Sequence, residues 1–268
     1  GGSESGNSND DRPQMLDRRS AHTTTLLTDG RLLVAGGRND LITYTSAEIY
    51  DPSSSDKNPH GTWSASGSMQ ENRFDHVAIQ LQNGLVLAAG GDKIETGGTY
   101  YKVESSAGLS SAELFDPASG TWSSVGPMLN PHGLGLTGTL LQDGTVLITG
   151  GLSPSATEGA ARETSSQSEI YDVETNTWTA TGDMTEGRTK HQAIIMKTGK
   201  VLVVGGNSAE IYDPATRKWS AVEQIPNDHY NASLEGIDKI LPNPLNLFYN
   251  KLLVFVCLHY YHHQHAQF

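Results

Sequence analysis

Three pairs of side chains in this sequence have the chemistry for acid–base work or anion binding: Arg19 with His22, Arg73 with His76, and Arg188 with His191. Histidine titrates near neutrality and arginine is a permanent forked cation, so such pairs invite a catalytic or ligand-binding reading. Each stands at the same spacing behind a methionine, Met15, Met69 or Met184. The counterpart behind Met128 reads Asn130-Pro131-His132-Gly133 and lacks the arginine. Glu48, Glu113, Glu169 and Glu210 also recur once per unit. A residue that returns in every unit serves whatever is repeated. These groups are therefore expected to be structural, the arginine capping contacts between units and the histidine hydrogen-bonded at the start of a strand. No nucleophile elbow, phosphate-binding loop or acid–base pair of carboxylates is recognisable, and no catalytic residue is assigned.

Four histidines near the end, His259, His262, His263 and His265, are close enough in sequence to hold a transition metal. No acidic partner accompanies them, so neither a metal nor a cofactor is expected. The single cysteine, Cys257, excludes an intrachain disulfide and a cysteine-based metal cluster. A formal charge of -12 argues against nucleic acid, whose phosphates need a clustered basic surface that this sequence does not show. The apolar run at 251–258 is too short for a membrane span. No basic segment followed by an apolar stretch precedes the repeats, so no signal peptide is visible. Asn231-Ala232-Ser233 fits an N-glycosylation acceptor, should the chain be secreted by a eukaryote.

The elements that position the Arg and His residues form a unit repeated four times. Gly-Gly doublets stand at Gly36-Gly37, Gly90-Gly91, Gly150-Gly151 and Gly205-Gly206. An aromatic followed by Asp comes next, at Tyr50, Phe115, Tyr171 or Tyr212, and then Trp63, Trp122, Trp178 or Trp219, which are all the tryptophans of the chain. Asp29-Gly30, Asn83-Gly84, Asp143-Gly144 and Thr198-Gly199 separate short apolar runs. They predict hairpins closed by type I′ turns, with positive φ at both central residues. With 29 glycines and 36% hydrophobic residues, the composition favours an all-β fold rich in turns. A four-stranded antiparallel unit cannot cover both its faces alone, whereas units stacked around an axis can, and that arrangement is a β-propeller.

The Gly-Gly doublet, the spaced Tyr and Trp and the recurring Arg-x-x-His resemble the kelch repeat. The stretches Leu-x-Asp-Gly-x-Val-Leu-x-x-Gly-Gly and Glu-Ile-Tyr-Asp-Pro are more similar to the bacterial, galactose-oxidase-like branch than to adaptors of ubiquitin ligases. The resemblance covers residues 15–225, with blades at about 18–69, 73–128, 132–184 and 188–225. Residues 1–14 read as a flexible segment or the remnant of an earlier blade, and 226–268 as a divergent tail or degenerate blade. Four clear copies are fewer than the five to seven that the resemblance implies. A partial ring would leave sheet faces exposed and promote self-association.

In such blades the loops from strand two to strand three, and from strand four to the next blade, lie at one end. Length varies there, with long segments at 38–46, 92–111 and 152–168. Insertions on one face of a repeat array mark the binding face. Asp92, Glu95, Tyr100, Tyr101 and Lys102 from the second segment, and Arg162 and Glu163 from the third, are the candidate binding residues, because paired tyrosines can stack on sugar or enter a partner's pocket. The expectation is a non-catalytic module for a protein or glycan partner. The resemblance implies an extracellular or cell-surface location, with the cytoplasm left open. The alternative is a copper radical oxidase resembling galactose oxidase, or a remnant of one. It needs a cysteine within the repeats, and Cys257 lies outside them.

Overall fold

A computed structural model describes residues 13–53, 60–94, 108–155, 157, 160–206 and 208–222. All of them belong to the unit Gly1–Val222. Glu95, Tyr100, Tyr101, Lys102 and the tail beyond 222 lie outside the described residues.

The described residues contain no helix and fold into four four-stranded antiparallel sheets. The first comprises β1 (Thr23–Leu26), β2 (Leu32–Ala35), β3 (Ala47–Asp51) and β4 (Thr62–Ala65) in sequence order. The second comprises β5 (Val77–Gln80), β6 (Val86–Ala89), β7 (Ala112–Asp116) and β8 (Thr121–Ser124). In the third, β9 (Leu136–Leu140) and β10 (Val146–Gly150) are followed by a two-stranded ribbon, β11 (Leu152–Ser153) with β12 (Glu163–Thr164). That sheet is completed by β13 (Ser168–Asp172) and β14 (Thr177–Ala180). The fourth holds β15 (Gln192–Ile195), β16 (Val201–Gly205), β17 (Ser208–Asp213) and β18 (Lys218–Ala221). These are the blades of an all-β propeller, with the first strands β1, β5, β9 and β15 side by side in succession. The 152–168 segment, read from sequence as one long loop, is thus partly ordered as the β11–β12 ribbon.

The first hairpin in every blade differs from the type I′ expectation. Gly30 N donates to Leu27 O at 3.0 Å and Leu27 N to Arg31 O at 2.8 Å, and the same pair of bonds recurs at 81–85, 141–145 and 196–200. Only the glycine has positive φ. This is a three-residue loop, a type I turn followed by a left-handed glycine. The Asx residue does a different job from the one predicted. Asp29, Asn83 and Asp143 each accept, through Oδ1, the N–H two residues on, which fixes the turn without a left-handed side chain.

The core lies between blades, because side chains alternate between the two faces of a strand. Leu33 of the first blade packs with Val86, Phe115 and Trp122 of the second. Leu87 packs with Val146, Tyr171 and Trp178 of the third, and Leu147 with Val201 and Tyr212 of the fourth. Fully burying each leucine contributes about 1.5–3 kcal/mol. The aromatic and the tryptophan of each blade are cross-strand partners in register, with ring centroids 4.8–5.1 Å apart.

Candidate functional site

The Arg, His and Glu residues singled out by their chemistry are occupied with bonds inside each blade and to the segment leading into it. Glu113 is buried on β7, and its carboxylate accepts the backbone N–H groups of Gln70 and Glu71 at 2.7 and 3.1 Å. It also pairs with Arg73 at 3.2 Å. Arg73, 0% exposed, donates further to the carbonyls of Gly90 and Ser111. Its own carbonyl accepts from Gly37 N of the preceding blade. Burial pulls the Arg73 guanidinium below its ordinary pKa, and the neighbouring Glu113 carboxylate opposes that shift. Glu48 with Arg19, and Glu210 with Arg188, repeat this arrangement.

The third blade uses a substitute. His132 occupies the arginine position, with Nδ1 2.7 Å from Gly150 O and Nε2 3.3 Å from Glu169 Oε1. Glu169 also accepts from Leu129 N and Asn130 N. Burial would raise the Glu169 carboxyl, but His132 and the N–H donors outweigh it and hold it below the usual value. The sequence showed only a missing arginine. That an imidazole with two ring nitrogens can fill a fork-shaped slot emerges from the geometry.

The N–H of the second glycine in each of the first three doublets is turned to the next blade. Gly37 N, Gly91 N and Gly151 N donate to the carbonyls of Arg73, His132 and Arg188. A Cβ on Gly91 would stand 2.5 Å from Phe74 O, and φ there is +86°. The histidines complete the contact near the first strands. His76 Nε2 meets Thr23 Oγ1 at 3.0 Å, and His191 Nε2 meets Thr137 Oγ1 at 2.8 Å. Burial, then Arg188, lowers His191 to about 4. Among the described residues no three His, Cys, Asp or Glu side chains come together in a way that could hold a metal.

The hydrogen-bonded repeat, the interblade aromatic cores and the similarity to known proteins agree. No protein-family profile matches the chain. Kelch-like protein 25 of Rattus norvegicus is 23% identical over 220 residues, 62% of this chain and 35% of that protein. The Homo sapiens protein of that name gives the same figures. An F-box/kelch-repeat protein of Arabidopsis thaliana is 35% identical over 68 residues, 21% of this chain and 17% of its own length. These relatives, at low identity, support a kelch-repeat family for the chain. The chain spans about a third of the length of the Kelch-like relatives it matches.

The loop end of the kelch blades is where chemistry remains uncommitted. Of the predicted contact residues, the structure brings Asp92 and Arg162 together at 3.0 Å. Asp92 is 0% exposed and also accepts from Leu134 N, while Arg162 donates to Leu152 O. The two therefore tie the second and third blades together, and Asp92 is out of a partner's reach. Glu163 is exposed and accepts from Ser155 Oγ. Beside the root of the 92–111 segment lies an open groove of about 370 Å³ lined by Gln70, Glu71, Ser111, Glu113 and Ser124. Glu71 on its rim pairs with Lys93 at 2.7 Å. Burial raises the Glu71 carboxyl, but Lys93 and Ser111 lower it more.

Four side chains missed in the sequence define this end. Leu16, Leu41, Ile42 and Leu129 are 61%, 54%, 43% and 58% exposed. Leu41 and Ile42 sit between β2 and β3, and Leu129 between β8 and β9. Leu16 and Leu129 each directly follow the repeat methionine, where the other blades carry Gln70 and Thr185. Large apolar residues at positions where sister repeats are polar were the available signal.

Proposed function

We propose that this kelch propeller is a non-catalytic interaction module that grips a protein partner at the end bearing the interstrand loops. The observation that carries this reading is that Leu16, Leu41, Ile42 and Leu129, four of the five exposed large apolar side chains among the described residues, stand at that one end, the fifth being Leu26 beside the first hairpin. Meanwhile the Arg, His and Glu side chains capable of catalysis are spent on ion pairs and hydrogen bonds inside the blades. Apolar side chains ringed by polar groups suit a protein surface, which supplies both an apolar core and a polar rim. The 92–111 segment, whose Tyr100, Tyr101 and Lys102 lie outside the described residues, is assigned the role of a further contact.

The test compares the full chain with a variant carrying Leu41→Asp, Ile42→Asp and Leu129→Asp, first matched for melting temperature. Affinity capture of proteins and a glycan array are run in parallel. The expected result is protein partners retained by the unmodified chain and lost from the variant. Equal capture by both, binding to glycans alone, or copper-dependent turnover of a primary alcohol would overturn the reading.

A further inference from the structure

A clasp fastens the outer rim of the first and third seams between successive blades, and the second seam lacks it. The last strand of each of the first three blades runs into a glycine, Gly67, Gly126 or Gly182, two residues before the repeat methionine. Gly67 N donates to Gly120 O at 3.0 Å, and Gly67 O accepts from Trp122 Nε1 at 2.9 Å, both partners on the second blade. Gly182 makes the same two bonds to the fourth blade, with Arg217 O at 3.1 Å and Trp219 Nε1 at 2.8 Å. Beside them the Thr181 and Tyr212 hydroxyls bond across the same seam at 2.6 Å. A Cβ on Gly67 or Gly182 would stand 2.3 or 2.5 Å from the accepting carbonyl, so only glycine lets the two backbones meet.

Gly126 makes neither bond to the third blade. It is exposed, and nothing described lies within 4 Å of a Cβ built on it. The receiving side is nevertheless in place. Asn176 has φ +53°, as Gly120 has +69° and Arg217 +54°. Trp178 is 8% exposed, as buried as Trp122 at 9%, yet its Nε1 has no partner. The Tyr171 hydroxyl turns back to Asn176 Oδ1 of its own blade, at 3.0 Å, instead of crossing the seam. Both ends of the strap are held as in the sister blades: Val125 N donates to Ala112 O and Met128 N to Ser110 O. Only the middle departs. There Val125 stands where Ser66 and Thr181 do, and Pro127 where Ser68 and Asp183 do. The proline ring fixes its own φ and restricts Gly126 before it. Val125 offers the Tyr171 hydroxyl no partner and packs on the apolar cluster that holds Trp178.

We propose that Val125-Gly126-Pro127 is a latch, open in this structure, that closes onto Asn176 and Trp178 of the third blade. A buried N–H without an acceptor costs free energy that closing recovers, while Val125 and Pro127 hold the strap back, so the two arrangements are close in energy. The strap also lines the polar groove of about 370 Å³ through Val125 and Pro127. The other lining residues, among them Gln70, Ser111 and Ser124, belong to the second blade or to the segment leading into it. Closing carries the strap towards the third blade and away from them, which widens the groove. A ligand that fills the widened groove therefore favours the closed latch. Only this regulation of a partner rests on the proposed function; the latch itself rests on the seam.

The experiment follows the indole N–H resonances of the full chain, isotope-labelled in its tryptophans and assigned by single substitutions such as Trp178→Phe. Trp122 and Trp219 should resonate downfield, as hydrogen-bonded indoles do. Trp178 should lie upfield of them and show relaxation dispersion on the microsecond-to-millisecond scale as the latch opens and closes. Val125→Thr combined with Pro127→Asp, which copies the strap of the third blade, should move Trp178 downfield and abolish the dispersion. In a Cys257→Ser background, Ser124→Cys should react with a maleimide several-fold faster when those two substitutions lock the latch. A Trp178 signal without dispersion, or one that the double substitution leaves in place, overturns the latch, and equal labelling rates overturn its control of the groove. Should the double variant fail to fold, Pro127→Asp alone takes its place and is judged by the same outcomes. Neither readout needs a partner, so their failure is distinct from failure of the interaction reading.

Discussion

His76 Nε2 lies 3.0 Å from Thr23 Oγ1, joining the start of β5 to the start of β1. The same contact joins His191 to Thr137 across the third and fourth blades. Between the second and third blades both partners change together, to Val77 and Leu136, which belong to one apolar cluster. Polar meets polar and apolar meets apolar at each inner contact. Val77→Thr alone, or Leu136→His alone, should therefore destabilise the protein by about 1–3 kcal/mol through a buried polar group lacking its partner. The double substitution should recover part of the sum. Urea denaturation of all four proteins gives the coupling energy, expected to exceed about 0.5 kcal/mol in favour of the matched pairs.

The same histidines set an acid limit. Unfolded histidine takes up its proton near 6.5, while folded His191 does so at about 4. His76 is held well below 6.5 by burial, then by Arg73 and His22. Between the unfolded and folded values the unfolded chain binds more protons, so stability falls as the pH drops from about 7 towards 4. His191 alone accounts for roughly 3 kcal/mol over that window. Replacing His76 and His191 with glutamine should flatten the dependence of melting temperature on pH between about 7 and 4.

Arg73 and Glu113 are both buried, so removing either partner strands a charge. Arg73→Ala should cost about 3–5 kcal/mol. Lys200 pairs with Asp213 at 2.9 Å with both side chains partly in solvent. Lys200→Ala should cost less than about 1 kcal/mol. Denaturant midpoints of the two variants check the contrast, and equal losses would contradict the anchoring role of Arg73.

Gly133 lies beneath the Arg162–Asp92 pair. A Cβ there would stand 1.8 Å from Arg162 Nη2 and 2.6 Å from Leu152 O. The guanidinium can swing away, but the carbonyl belongs to the β11–β12 ribbon and yields less readily. Gly133→Ala should destabilise by about 1–3 kcal/mol, as overpacking does. Hydrogen exchange should show the loss concentrated in 133–134 and 152–164.

The blades were legible because glycine doublets, aromatics and tryptophans fall in register along the chain, and each has a backbone or packing reason to recur. The loop end was legible through length variation. What could not be read was any feature defined by segments distant in sequence meeting in space. His132 looks like a lost arginine until Gly150 O and Glu169 are seen on either side of it. Asp92 and Arg162, 70 positions apart, read as surface charges until their distance is known. The turn type escaped because Asp-Gly serves a three-residue loop as readily as a two-residue one. Leu41, Ile42 and Leu129 escaped because their importance lies in what they fail to touch.

The matched inner contacts bear on how the chain avoids misassembly. Tandem repeats risk pairing with the wrong neighbour during folding, since every unit offers nearly the same surface. A collapsed intermediate that skipped the second blade and set β1 against β9 would press the Thr23 hydroxyl onto Leu136. One that set β5 against β15 would press His191 onto Val77. Each error strands a polar group in an apolar seam, so the side chains at the hub act as a sorting code that steers the nascent ring towards its correct order.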